Sequence, residues 1–276
     1  MINSYGFRKL KNRLFFVLCA VCVVIAVVPL ASILFEVAIR GAPQLSITFL
    51  TANASKGGIG HAIQGTLIIV GLTSIIGIPI GILSGVYLSE FGNNRYTQSL
   101  RTINNMLTQF PSIIVGITAY ALIFNILGSS KWAFSTLTGA VALSFIMIPI
   151  ITRTTEESLK LVPNTLREAS LALGAHKWRT TLSVVLPTTK TGLITGILLA
   201  VARVAGETAP LIMTIQGSRY FFRGLNGRIA ALPLEIWTNS LQPYPEAQAQ
   251  GWGAALILII IVLTLNIAVR LASRRE

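Results

Sequence analysis

The 276-residue sequence contains no aspartate, and its nine acidic residues are all glutamates. Only 11% of the residues are charged, whereas 53% are hydrophobic. Five stretches of about twenty residues or more contain no charged side chain. A soluble fold of this size could not bury so much apolar chain, but a bilayer core about 30 Å thick accommodates each stretch as a spanning helix.

Histidine and cysteine are also scarce. The only histidines are His61 and His176, and the only cysteines are Cys19 and Cys22. The C-x-x-C spacing lies inside an apolar run without further ligands, so we interpret both cysteines as small apolar residues of a lipid-facing helix. We expect no metal site, and we expect His61 to lie in a loop. Spans without His or Asp also offer little chemistry for an intramembrane enzyme.

The apolar stretches predict an all-α integral membrane protein with six spanning helices, and we treat residues 1–276 as one membrane domain. The first apolar run follows a basic start, as in a cleaved signal peptide. Its 22 residues exceed a signal core, which favours a retained span. The third span has a polar start and is interrupted by Pro111. The spans are expected at about 14–35, 62–88, 103–127, 132–151, 191–215 and 252–269.

The basic residues predict the orientation of these spans. The formal net charge of +13 does not indicate nucleic-acid binding, because the basic residues sit between apolar spans and not along one soluble face. With the N-terminus inside, the inner segments hold fifteen Lys and Arg residues, the outer segments six, and one lies within a span. This excess predicts that both termini are cytoplasmic. The chain is therefore expected in the cell membrane, where it contacts lipid.

The inner loop at about 152–190 has the pattern of two short helices. Thr154-x-x-Glu157 is a possible capping box, and Pro163 ends or resets the helix. Leu166, Ala169, Ser170 and Leu173 follow at helical spacing, and Gly174 stands where a left-handed helix end is expected. Such a pair could pack on its own membrane core or dock in a groove of a partner.

At this loop the sequence resembles the permease subunits of binding-protein-dependent ABC importers. Their "EAA" pattern, E-A-A-x-x-x-G followed by a hydrophobic residue and proline, matches here with Ser170 in place of the second alanine. The resemblance implies a type I importer fold and a coupling element that sits in a groove of the ATP-binding subunit. The residues that it assigns to ATPase coupling are Glu168, Ala169, Gly174, Leu186 and Pro187.

The chain lacks a G-x-x-x-x-G-K-S/T phosphate loop, so by that route it is not the ATPase. It is expected to be no enzyme and to bind no cofactor, with ATP-Mg used by a partner chain. The resemblance implies a dimer of ATP-binding subunits as a partner.

The fifth span carries Arg203 and Glu207 at i and i+4, on one helix face. A charge at mid-bilayer costs about 2.5–3.5 kcal/mol on insertion scales, so such residues face protein or water. Pro210 removes the helical partner of the Gly206 carbonyl, which predicts a loosened helix beside the pair. We interpret the pair as lining a pathway; the alternatives are an ion pair that only fixes helix packing and a purely structural adaptor. A guanidinium in the pathway suits an oxyanion.

Three strings resemble phosphate-importer permeases of the A-type. They are residues 202–210 (A-R-V-A-G-E-T-A-P), residues 57–67 (G-G-I-G-H-A-I-Q-G-T-L) and residues 153–159 (R-T-T-E-E-S-L). The resemblance implies import of inorganic phosphate, with Arg203, Glu207, Thr208 and Arg153 in the substrate pathway. It also implies a related C-type permease and an extracytoplasmic phosphate-binding protein as partners. Arg153 could instead only anchor its span at the inner surface. A permease for another oxyanion, such as molybdate, tungstate or sulfate, is the alternative function.

Overall fold

The computed structural model describes residues 3–92 and 94–274. Residues 1, 2, 93, 275 and 276, which the predicted domain includes, lie outside the described residues. Within the described ranges the chain is helical and forms no strand. Its α-helices are α1 (Asn3–Gly41), α2 (Ile47–Thr51), α3 (Gly60–Glu90), α4 (Arg95–Gln109), α5 (Ser112–Leu127), α6 (Ser130–Ala133), α7 (Thr136–Lys160), α8 (Asn164–Ala172), α9 (Lys177–Thr180), α10 (Leu186–Thr188), α11 (Lys190–Ala205), α12 (Ala209–Thr214), α13 (Leu232–Ser240) and α14 (Pro245–Arg274). A π-helical turn, Thr181–Val185, joins α9 to α10.

Four helices, α1, α3, α7 and α14, are long and apolar enough to cross a membrane. Two further candidates are bent pairs: α4 meets α5 at 111°, and the helical segment Lys177–Thr188 meets α11 at 72°. The number of spans reaches six if each bent pair counts as one. The predicted six spans and the inward termini therefore stay predictions.

The region predicted as the third span, 103–127, is not one continuous helix. It comprises the end of α4 and all of α5, which diverge at Phe110 and Pro111. Phe110 is extended, with φ −64° and ψ 136°, as expected for a residue that precedes proline. Pro111 also has no N–H to continue the helical ladder. The bend gives α4 and α5 different directions.

The region predicted as the fourth span, 132–151, is shifted along the chain, because α7 begins at Thr136 and continues to Lys160. The Ser135 hydroxyl caps its start by accepting a hydrogen bond from the Thr138 N–H at 3.3 Å. The helix start expected at Thr154 is wrong, since Thr154 lies inside α7 and its hydroxyl donates back to the Ile150 carbonyl at 3.0 Å. Arg153, placed by the sequence at the start of the inner loop, is also within α7.

Helix α7 is the centre of the fold, and α3 lies closest to it. Gly77, Gly81 and Gly85 of α3 face α7 at a spacing of four residues. A Cβ at Gly81 would stand 2.7 Å from the Ile151 Cβ, and one at Gly85 would stand 2.5 Å from the Thr155 Cβ. Small residues allow helices to pack closely in membranes, where no hydrophobic force holds them together.

Helices α11 and α12 pack against α7 on another side. The fully buried residues Met147 and Ile151 of α7 belong to the main apolar cluster together with Val204 of α11 and Ile215, which follows α12. Gly196 of α11 lies directly against Thr154. These contacts set the position of the end of α11, where Arg203 lies.

The segment 216–231, between α12 and α13, lies against the first turns of α3 and α7. The Phe222 N–H donates to Gln64 Oε1 at 3.0 Å, and the Thr136 N–H donates to the Gly227 carbonyl at 2.9 Å. His61 is not the expected loop residue: it is buried in the first turn of α3, with Nε2 3.3 Å from Glu235 Oε1 of α13. One end of the helix bundle is thereby closed by short polar contacts.

The close approach of α3 and α7 predicts a sensitive position. We expect Gly81→Ala to lower the free energy of unfolding by about 1–3 kcal/mol, because the new methyl group overpacks the contact with Ile151. Thermal unfolding of the purified protein in detergent measures this change.

Gly71→Ala is the matched control, because Gly71 lies in the same helix and nothing lies within 4 Å of the position that its methyl group would take. That variant should be as stable as the parent or slightly more stable. Equal effects of both substitutions would contradict the close packing.

Candidate functional site

The helix that carries Arg203 ends directly after it. Helix α11 stops at Ala205, and α12 begins at Ala209 with Pro210 in its first turn. The Gly206 N–H bonds to the Arg203 carbonyl at 3.1 Å, and the Glu207 N–H bonds to the Val204 carbonyl at 3.2 Å. The loosened helix expected beside Pro210 is confirmed as this break.

Arg203 and Glu207 form an ion pair across the break. Arg203 Nε lies 3.6 Å from Glu207 Oε1. The arginine side chain is 59% exposed, whereas the glutamate is 16% exposed. The carboxylate is therefore held inside, while more than half of the arginine side chain remains open to the outside of this chain.

A groove of about 340 Å³ lies where α4, α5, α7 and α11 meet. Arg203 and Arg153 both line it, together with Glu157. Arg153 Nε donates to Glu157 Oε1 at 2.9 Å, and both side chains are more than half exposed. The hydroxyl residues of the lining are Thr108, Ser112 and Thr154. The fold thus brings two arginines that are 50 residues apart in sequence into one concave surface.

Two of the four predicted pathway residues do not line this groove. Glu207 reaches it only through its pair with Arg203. Thr208 precedes α12, and its carbonyl accepts from the Leu211 and Ile212 N–H groups, each at 3.1 Å. The geometry therefore gives Thr208 a place at the helix start, whereas Arg153 and Arg203 are the cations that a ligand in the groove would meet.

The helix pair beyond α7 is exposed on the surface. Glu168 and Ala169 are exposed on α8, and Pro187 is exposed on α10, while Leu186 is partly buried. Gly174 has φ +81°, the left-handed conformation that the sequence predicted. The large apolar side chains left open here are Leu166, Leu171, Leu173, Trp178 and Leu182.

Ser170 replaces the second alanine of the E-A-A pattern, and its side chain joins the two short helices. Its hydroxyl lies 2.9 Å from the Thr180 hydroxyl, so the two form a hydrogen bond between α8 and α9. The Ala175 N–H also bonds to the Ser170 carbonyl at 3.3 Å. The turn at Gly174 is thus closed by polar contacts on both sides, and the two short helices form one unit.

Arg167 fixes this unit to the helix bundle, a role that sequence reasoning missed. Its Nη2 donates to Glu90 Oε1 at 2.7 Å and to the Leu159 carbonyl at 2.8 Å, and its Nη1 donates to the Val162 carbonyl at 2.6 Å. The Glu90 side chain is only 6% exposed. One guanidinium therefore joins the ends of α3 and α7 to α8. Glu90, the only acid between residues 37 and 155, was the signal available in the sequence.

A second ion-pair cluster joins α4 to α7. The buried Glu156 accepts from Arg101 Nη2 at 2.6 Å and from Lys160 Nζ at 2.6 Å. Since α4 is bent away from α5, this cluster holds α4 against the end of α7.

Within residues 3–92 and 94–274, no three His, Cys, Asp or Glu side chains come together as a metal site would require.

The fold combines helices long enough to span a membrane with a groove lined by two arginines and an exposed helix pair at one end. This combination is typical of a multi-pass membrane permease. The family model described as "Binding-protein-dependent transport system inner membrane component" matches residues 77–275, and the chain belongs to this family. It is a membrane permease subunit of an ABC importer and not an enzyme. Permease subunits of this kind bind no cofactor themselves.

Curated relatives cover most of the chain. It is 40% identical over 248 residues to the "Phosphate transport system permease protein PstA" of Haemophilus influenzae. The aligned region covers 88% of this chain and 86% of the relative. It is 35% identical over 245 residues to the "Phosphate transport system permease protein PstA 1" of Mycobacterium tuberculosis. The aligned region covers 86% of this chain and 80% of the relative.

Solved structures show the same fold at low identity. A chain of a bacterial alginate ABC transporter superposes with a TM-score of 0.70 at 13% identity and covers 99% of this chain and 97% of its own. A chain of the MetNI methionine ABC transporter, in inward-facing conformations, superposes with a TM-score of 0.62 at 21% identity, covering 84% of this chain and 99% of its own. These likenesses confirm the expected importer-permease fold.

The contacts of Arg167 generate a stability prediction. We expect Arg167→Ala to lower the free energy of unfolding by about 3–5 kcal/mol, because it leaves the buried Glu90 carboxylate without its partner. Thermal unfolding of the purified subunit measures this loss. Arg40→Ala removes an arginine from an exposed pair with Glu36 and should change stability by less than about 1 kcal/mol. Similar losses in both variants would contradict the anchoring role.

Proposed function

We propose that this chain is the membrane-spanning subunit of an ATP-driven importer of inorganic phosphate and supplies half of the translocation path. The curated relatives named as phosphate transport permeases support the substrate. The observation that carries the mechanism is the groove in which Arg153 and Arg203 lie together.

Two guanidinium groups suit an inorganic oxyanion. Each presents a planar set of N–H donors that matches the oxygens of phosphate. Each is also paired with a carboxylate, Arg153 with Glu157 and Arg203 with Glu207. The carboxylates limit how tightly an anion binds, and conduction needs attraction without trapping.

The exposure of Arg203 supports a path that is shared between two subunits. An arginine that is 59% exposed among spanning helices would be costly against lipid. A second, related permease of the C-type facing this groove would enclose the guanidinium in a wet passage. Arg153 acts in the same path in this proposal and does not only anchor α7.

The exposed helix pair suits contact with a dimer of ATP-binding subunits. The proposed contact residues are Glu168, Ala169, Gly174, Leu186 and Pro187, and the partner chains use ATP-Mg. Arg167 joins this pair to the ends of α3 and α7. A movement of the docked subunits would therefore reach the helix that carries Arg153. On the opposite side, an extracytoplasmic phosphate-binding protein delivers the substrate.

Loss of the guanidinium at Arg203 tests the path. We expect Arg203→Gln to lower phosphate uptake by about tenfold or more, because charge-assisted hydrogen bonds contribute about 1.5–3 kcal/mol each. Uptake is measured with the complete importer in liposomes, after co-purification shows normal assembly. Arg40→Gln is the matched control, because Arg40 is 58% exposed and also paired with a glutamate four residues away. Unchanged uptake with Arg203→Gln would refute the path.

The turn at Gly174 tests coupling. We expect Gly174→Val to reduce both co-purification of the ATP-binding subunits and phosphate uptake, because a β-branched residue does not tolerate φ +81° and the helix pair would be displaced. Gly128 is also left-handed, with φ +64°, and at neither glycine would an added Cβ meet an atom within 4 Å. Gly128→Val therefore carries a similar backbone strain away from the helix pair. Equal ATPase recovery from both variants would count against docking at this element.

A further inference from the structure

The groove contains a negative charge as well as two positive ones. Among the residues that line it, the charged side chains are Arg153, Arg203 and Glu157. Glu157 is 61% exposed, and one of its oxygens accepts from Arg153 Nε at 2.9 Å. A carboxylate has about four lone-pair sites on two oxygens, so Glu157 retains acceptor capacity toward the groove.

Any oxyanion bound by Arg153 would lie beside this carboxylate. Only one nitrogen of the Arg153 guanidinium is engaged by Glu157 in the described part of the chain. Both side chains line the groove, so the remaining N–H donors of Arg153 and the remaining acceptor capacity of Glu157 are available to a ligand there. An anion bound by Arg153 in the groove therefore has a donor and an acceptor in the same site.

Oxyanions differ in how they meet such a pair. At neutral pH phosphate and arsenate each keep at least one proton, whereas sulfate, selenate, molybdate and tungstate carry none. A P–OH group can donate a hydrogen bond to the Glu157 carboxylate. An oxyanion without a proton can only place a negative oxygen against it, and discrimination often comes from such an unfavourable contact with the wrong ligand.

We infer that Glu157 is a specificity-determining residue that selects protonated oxyanions in the groove. This inference rests on the proposed function, because it requires the groove to hold the transported anion. It assigns Glu157 a role beyond pairing with Arg153. It also explains why a path for anions retains a carboxylate at its surface, and it separates phosphate from molybdate, tungstate and sulfate within this subunit.

Anion protection of Arg203 tests the inference without relying on the selectivity of the binding protein. The complete purified importer, in lipid nanodiscs and without binding protein, is treated with phenylglyoxal at neutral pH. Mass spectrometry then gives the modification rate of each arginine in the presence of phosphate, arsenate, sulfate or selenate. We expect phosphate and arsenate to protect Arg203 at concentrations about tenfold lower than sulfate and selenate. One charge-assisted hydrogen bond changes an affinity by about this factor or more.

The variant Glu157→Gln should bring the ratio of sulfate to phosphate protection close to one. The amide removes the negative charge and can donate a hydrogen bond to an unprotonated oxygen. Glu157→Asp keeps the carboxylate and should retain part of the preference. Glu36→Gln, which alters an exposed pair on α1, should leave the ratio unchanged.

The outcomes separate the inference from the proposed function. Equal protection by phosphate and sulfate in the parent protein would overturn the inference, and so would a preference that survives in Glu157→Gln. If Glu157→Gln strengthens protection by all four anions equally, the carboxylate only neutralises Arg153 and the inference fails. If no anion protects either Arg153 or Arg203 in any variant, the groove does not bind anions and the proposed path itself fails.

Discussion

The close contact between α3 and α7 is the constraint on which the rest of the structure depends. Gly77, Gly81 and Gly85 remove the side chains that would separate the two helices. Because α7 is fixed in this way, it can support α4, α5, α11 and α12 on its other sides. Arg153 and Glu157 project from the same helix, so the groove and the bundle have a common support.

The charges around this core follow one rule, since a charge near hydrocarbon needs a partner or water. Arg203 pairs with Glu207, Arg153 with Glu157, Arg101 and Lys160 with Glu156, and Arg167 with Glu90. In the two pairs at the groove the arginine is more than half exposed, whereas in the pairs of Glu90 and Glu156 the carboxylate is buried and joins helices. The groove pairs are therefore open to a ligand, and the buried carboxylates hold the structure together.

The class of fold could be predicted from the sequence, because a chain of this length can bury so many long apolar runs only as helices that span a membrane. It also predicted the left-handed turn at Gly174 and the break beside Pro210, since both depend on the local backbone chemistry of Gly and Pro. It did not predict the length of α7, because Thr154 and Glu157 imitate a capping box inside a helix. The 111° bend at Pro111 was anticipated only as an interruption.

The site was harder to predict than the fold, because its geometry comes from contacts between distant segments. Spacing placed Arg203 and Glu207 on one face, but only the packing of α11 on α7 brings Arg203 into the groove with Arg153. Local sequence does not show that His61 is buried in a helix, because its partner, Glu235, is 174 positions away. Nor does it show that Arg167 is an anchor, because Glu90 is 77 positions away.

The most direct measurement is a structure of the assembled importer with arsenate, whose heavy centre can be located beside light atoms. We expect a tetrahedral anion within hydrogen-bond distance of the Arg203 guanidinium, in a passage enclosed by this chain and a second permease. A structure in which protein or lipid covers Arg203, and no passage reaches it in any state, would refute a path at this arginine.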